Sequence, residues 1–181
     1  MSELNTTFTN TLPENCSVVG RFKKSFDNMW DYFGNVEAIQ FKASSDIRLF
    51  GIGLYGDGGQ FKANLKLFHL RNGDDQLRKV VASMDNLSYE ARPPAVVAPI
   101  CFSEPILIQA NIWHTISAHI TKPGTKTRYR KGDFGYGNIN TDGVMFTFRD
   151  SLAIADNGSS VAQGQIPQLY FQVAKESLCA E

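Results

Sequence analysis

Residues 61–67, Phe-Lys-Ala-Asn-Leu-Lys-Leu, alternate apolar and polar side chains one by one. That is the two-residue period of a strand with one buried face. The same period recurs where Ile112, His114, Ile116, Ala118 and Ile120 share one parity and Trp113, Thr115, Ser117 and His119 share the other. It recurs again at Val144, Phe146 and Phe148. The run Ile47–Tyr55 is apolar apart from Arg48, which predicts a central strand covered on both faces. It is too short and too glycine-rich for a good helix. Residues 77–84 carry two patterns. Leu77, Val80, Val81 and Met84 fall at helical spacing, whereas Leu77, Lys79, Val81 and Ser83 alternate. Strands on both sides favour a strand there.

Turn chemistry separates these runs. Asp57-Gly58-Gly59 between two strands predicts a hairpin, because Asp-Gly readily supplies positive φ. Asn72-Gly73, Asp142-Gly143 and Asn157-Gly158 carry the same signal. Pro93-Pro94 and Pro105 break the middle of the chain, and Pro167 precedes a last strand at 168–173. About ten strands at spacings near 8–12 residues predict an all-β fold, an antiparallel sandwich of jelly-roll kind. Residues 1–16 read as a flexible lead-in, 17–175 as the sandwich domain and 176–181 as a tail.

Composition narrows the function classes. The 181 residues suit one domain, with 43% hydrophobic and 20% charged side chains. Eighteen Lys and Arg balance eighteen Asp and Glu, which argues against a dedicated nucleic-acid binder. No run of about 20 apolar residues predicts a membrane span. Met1 to Thr7 lacks the basic-then-apolar order of a signal peptide, so a cytoplasmic protein with reduced thiols is expected. Cys16, Cys101 and Cys179 form no Cys-x-x-Cys pair. Sequons at Asn5, Asn15, Asn86 and Asn157 read as chance in an Asn-rich chain.

Catalytic and cofactor signals are weak. Gly51-Ile52-Gly53-Leu54-Tyr55-Gly56 matches G-x-G-x-x-G literally, but a strand follows rather than the helix a dinucleotide needs. The glycines instead suit a close approach of backbone or bulky side chains. His114 and His119 are five apart, so they point to opposite faces of one strand and cannot share a metal. His114 and Cys101 read as core packing. No G-x-S-x-G occurs.

Two stretches invite a binding reading. Lys122, Lys126, Arg128, Arg130 and Lys131, followed by Phe134 and Tyr136, are either a solvated loop or a docking patch for acidic groups. Phe26, Trp30, Tyr32 and Phe33 crowd the loop-like stretch 25–35 and either pack on the core or await a partner.

These segments together resemble a PHR domain, the module named for the Pam, Highwire and Rpm proteins. The opening likeness is Gly20-Arg21-Phe22, Trp30, residues 36–41 and residues 50–56; the closing likeness is residues 141–148, 157–161 and 164–169. PHR domains occur in giant E3 ubiquitin ligases acting in axon growth and synapse formation, and in BTB-domain adaptors of cullin ligases. Residues 57–61 and 164–169 look closer to the ligase version, and a chain without a BTB segment fits an excised piece of the ligase. The resemblance implies a β-sandwich of about ten or more strands that recognises a protein partner or ubiquitination substrate. It implies no cofactor and no catalysis in this domain, since the ligase chemistry sits in a RING segment elsewhere. It leaves the oligomeric state open. By their chemistry, Trp30, Tyr32 and Tyr55, with Asp57 and Gln60 of the following loop, and Arg128, Arg130, Phe134 and Tyr136 are the expected partner-binding residues. Two competing readings are a lectin-like sandwich stacking a sugar on Trp30 and Tyr32, and a small hydrolase that would lack any motif.

Overall fold

The alternating runs become strands in a computed structural model that describes residues 8–31, 35–56, 58–91, 96–121 and 128–174. In chain order these are β1 (Phe8–Thr9), β2 (Ser17–Gly20), β3 (Phe22–Asp31), β4 (Val36–Ala43), β5 (Ile47–Tyr55), β6 (Gln60–Leu70) and β7 (Arg78–Glu90). They continue as β8 (Val97–Ile108), β9 (His114–Thr121), β10 (Arg128–Gly135), β11 (Asn138–Thr141), β12 (Val144–Asp150), β13 (Gln163–Gly164) and β14 (Gln168–Val173). Two short 3-10 turns, Arg71–Gly73 and Asp75–Leu77, are the helical elements among the described residues.

A five-stranded sheet, β1-β8-β5-β14-β2, faces a six-stranded sheet, β11-β12-β4-β9-β6-β7, and a third sheet runs β13-β10-β3. All pairings are antiparallel. The all-β sandwich read from the sequence is therefore the fold. Its core lies between the two large sheets. Ile39, Phe41, Leu65 and Leu67 from one side meet Leu49, Ile52, Leu169 and Phe171 from the other, all almost fully buried. The Phe146 and Phe171 rings cross that interface edge to face, 4.8 Å between centroids. Burial of these side chains is the main source of stability, at roughly 1.5–3 kcal/mol each.

The alternation at 61–67 is borne out in β6, where every second side chain is buried. The run at 47–55 is β5, central between β8 and β14. Residues 78–90 form strand β7, so the strand reading wins over the helical stripe. Asp142 and Gly143, at φ 50° and 81°, close the two-residue hairpin between β11 and β12. Asn72 and Gly73, also at positive φ, lie in the turn joining paired strands β6 and β7.

Five local expectations are corrected. The segment after Tyr55 is no hairpin: β5 and β6 belong to opposite sheets, so the chain crosses the sandwich there. Asn157-Gly158 likewise lies between β12 and β13, which are not partners. Pro105 sits inside β8, at the irregularity between the Gly51–Cys101 and Leu49–Ile106 pairs, where the ladder needs no N–H from it. Residues 25–31 and 128–131 are strand β3 and strand β10 rather than loops. Residues 8–9 of the expected lead-in pair with Phe102 and Cys101. Pro93, Pro94 and the tail 176–181 lie outside the described residues.

Candidate interaction surface

Arg21 roots the third sheet, although its charge alone predicts exposure. It is fully buried, and its guanidinium donates to the carbonyls of Ile166 at 2.8 Å, Gln165 at 2.7 Å and Ser160 at 3.4 Å. Its plane lies 4.4 Å over the Phe22 ring. Burial pushes its pKa down to about 9, opposed by nearby Tyr55, Asp150 and Glu37. The Phe22 ring in turn fills the space a side chain at Gly132 would need, so β3 and β10 meet closely at their base. Buried Glu37 accepts hydrogen bonds from Asn157 and Ser159 and fastens the loop 151–162 beside this root.

From that root β3 and β10 run side by side. Gly135 stands opposite Phe22, Asp133 opposite Lys24, Lys131 opposite Phe26, Tyr129 opposite Trp30 and Arg128 opposite Asp31. The register shifts between Tyr129 and Lys131. β3 is an edge of this sheet, and β13 pairs only Gly132 and Asp133 of β10. Exposed aromatics lie on both strands of the ribbon. Lys23, Lys24, Ser25 and Phe26 are all exposed. Phe26 is 40% exposed and Phe134 57%.

Phe134 holds φ at 55°, a left-handed conformation costly for an aromatic residue. Its N–H donates to the Asp133 carboxylate at 3.2 Å, which helps hold that turn of backbone. Lys24 Nζ lies 5.7 Å from the centroid of the Phe134 ring, and Lys23 Nζ 5.2 Å from that of Tyr136. Lys131 contacts Asp133 at 3.5 Å and donates to Gln163 at 2.9 Å. Exposed rings edged by cations can bury apolar area against a partner and pair with its acidic groups.

The structure gathers some of the expected residues and separates others. Trp30 and Arg128 lie on the two strands of this ribbon, with Arg130 and Phe134 further along β10 and half-buried Tyr136 just beyond it. Tyr55 is only 4% exposed, so it cannot offer its ring to a partner as a surface anchor would; it supports the root from beneath. Burial pushes its phenol up to about 12, opposed by Arg21 and Arg130 nearby. Gln60 is exposed but begins β6, in the six-stranded sheet. Tyr32 and Asp57 lie outside the described residues. Lys23 and Lys24 were missed; two adjacent lysines carry no spacing signal until β10 places aromatics beside them.

His114 and Cys101 are packed into the fold. His114 is 4% exposed, hydrogen-bonds the Ile112 carbonyl at 3.1 Å and packs against Phe41 and His69. Cys101 is buried, which pushes its thiol up to about 11. Among the described residues no three His, Cys, Asp or Glu side chains group to hold a metal ion. Nor is any helix there long and apolar enough to cross a membrane.

Comparison with known proteins agrees with this architecture. The PHR domain family model matches residues 20–172. The chain is 38% identical over 165 residues to the zebrafish E3 ubiquitin-protein ligase MYCBP2, covering 88% of this chain and 4% of that protein. It is 31% identical over 164 residues to the Drosophila E3 ubiquitin-protein ligase highwire, covering 88% of this chain and 3% of that one. Human BTB/POZ domain-containing protein 6 is 28% identical over 162 residues, which are 88% of this chain and 28% of the relative. The chain thus spans a small fraction of the ligases it matches. The matched span begins at the Gly20-Arg21-Phe22 root and ends in β14, and by it this chain belongs to the PHR domain family.

Proposed function

We propose that this domain is a non-catalytic recognition module of a large E3 ubiquitin ligase, and that the β3/β10 ribbon is the surface that selects a protein partner or ubiquitination substrate. One observation carries the reading: the exposed Phe26 and Phe134 rings lie on paired strands, with Lys131 opposite Phe26 and Lys24 Nζ 5.7 Å from the Phe134 centroid. An exposed aromatic held in a left-handed conformation is costly to fold, and such strain concentrates at binding sites. Greater identity to the two ligases than to the BTB protein supports the ligase setting. The same likeness extends the reading to a cytoplasmic protein acting in axon growth and synapse formation.

Site-specific photo-cross-linking tests it. A photoreactive phenylalanine replaces Phe26 or Phe134 in one pair of chains and Met145 or Leu107, exposed elsewhere, in another. Discrete adducts from neuronal lysate at 26 and 134 alone are expected. Adducts only at 107 or 145 would move the partner surface off the ribbon.

A further inference from the structure

The six-stranded sheet has a second face away from the core, buried at Ala38, Gln40 and Thr115 and open over Asn64, Lys66 and His119, and the strand register arranges that face in rows. Val36, His119 and Asn64 form one row, Ala38, Ser117 and Lys66 the next, and Gln40, Thr115 and Phe68 the third. The small side chains Ala38 and Ser117 leave the middle row hollow. Ala153 and Ile154, from the loop between β12 and β13, wall one side. The result is a groove of about 620 Å³ over β9 and β6. That volume falls within the range of ligand-holding clefts, roughly 300–1,000 Å³.

Each row carries one basic group on this face. His119 stands in the first and Lys66 in the second. Arg78 reaches the third from β7, its guanidinium 6.0 Å from the centroid of the Phe68 ring and bonded to the Asp75 carbonyl at 2.8 Å. Asp85 is the acidic residue among the described lining and sits at the His119 end, beside the bulge where Asn86 N–H donates to Asn64. Among the described residues no ion pair engages Lys66, Arg78 or His119. The rows are two residues apart along β6, roughly 6.7 Å.

We infer that this groove binds an extended acidic peptide segment of a partner protein. An extended chain laid along β6 and β9 presents alternate side chains at the same two-residue period. Carboxylates at three alternating positions then meet Arg78, Lys66 and His119 in turn. Val36 and Ile154 add apolar surface to the same groove. Asp85 disfavours a fourth carboxylate at its end and so gives the segment a limit. The groove is a separate surface from the β3/β10 ribbon and stands or falls without it.

The test is fluorescence anisotropy with a labelled peptide of alternating Glu and Thr, beside the same peptide with Lys for Glu. Saturable binding of the acidic peptide alone is expected, weakened by added salt. Lys66→Glu with Arg78→Glu, both at exposed positions, should weaken it by about tenfold or more, whereas Arg48→Glu on the five-stranded sheet should leave it unchanged. A titration of the wild-type chain by NMR needs no variant to fold. Shifted amides at 64–68 and 116–119 are expected. No binding, equal binding of the Lys peptide, undiminished binding by the double variant, or shifts centred elsewhere would each overturn the inference.

Discussion

The side-chain amide of Gln165 pairs with both backbone polar groups of Tyr55: its Oε1 accepts the Tyr55 N–H at 2.7 Å and its Nε2 donates to the Tyr55 carbonyl at 3.2 Å. A side chain thus continues the ladder where β5 ends and the chain leaves its sheet. The same Oε1 accepts the N–H of Ile166 at 2.9 Å, and Ile166 holds φ at 59°, a strained state for a β-branched residue. Ile166 also offers its carbonyl to buried Arg21. One amide therefore fixes the loop that fixes the root of the ribbon.

Gln165→Leu keeps the size and removes the polar groups. It leaves the buried N–H groups of Tyr55 and Ile166 without that acceptor, at about 1–3 kcal/mol each. A thermal melt should show Tm lower by about 5–15 °C. A change under one or two degrees would mean that the loop is held by something else.

His114 makes stability depend on acid. Burial lowers its pKa from 6.5 to about 4, with His69 adding to the fall and the Ile112 carbonyl opposing it. Between those values the unfolded chain binds the proton and the folded chain does not. Stability is therefore full above pH 6.5 and is lost as pH drops toward 4, by on the order of 3 kcal/mol from this group. His114→Gln should flatten that part of a urea-midpoint-against-pH curve. An unchanged slope would assign the acid sensitivity to other groups.

Gly51 lies on β5 against the backbone of β8, opposite Cys101. A Cβ there would collide with the backbone carbonyl of Ile100 and stand 2.7 Å from Cys101 Cα. Backbone cannot yield as a side chain can, so Gly51→Ala should destabilise by about 3 kcal/mol or more, or yield insoluble protein. Gly20→Ala meets nothing within 4 Å and serves as the control. Equal melting of the two variants would refute the close-approach account of the glycine-rich strand.

Phe134 offers a trade between stability and recognition. Phe134→Gly relieves the left-handed strain and removes a 57% exposed ring, so Tm should stay level or rise by a few degrees. A large fall in Tm would show the ring to be packed as core and remove it from the binding surface.

Much of the sandwich was legible because burial on one face writes itself into the chain. Residues 61–67 and Val144, Phe146 and Phe148 alternate because one side of each strand meets the core. β3 was hidden for the same reason in reverse: Lys23, Lys24, Ser25 and Phe26 are all exposed, so no face imposes a period. The Asp57-Gly58-Gly59 signal predicted a hairpin that β5 and β6 do not form, since a turn signal does not say which sheet receives the next strand. Arg21 could not be read as buried, because its acceptors are carbonyls some 140 residues away, supplied only by the fold. The groove needs the register of β4, β9 and β6 at once, which no single segment contains.

The ribbon is the central claim, and a quantitative pull-down from neuronal lysate tests it most directly. Wild-type chain is compared with a Phe134→Gly, Arg130→Glu double variant shown to melt at the same temperature or higher. The account predicts a defined set of proteins bound by wild type and lost at least severalfold from the variant, as expected when aromatic and arginine anchors are removed. Retention of every protein at wild-type levels by the folded variant would contradict it.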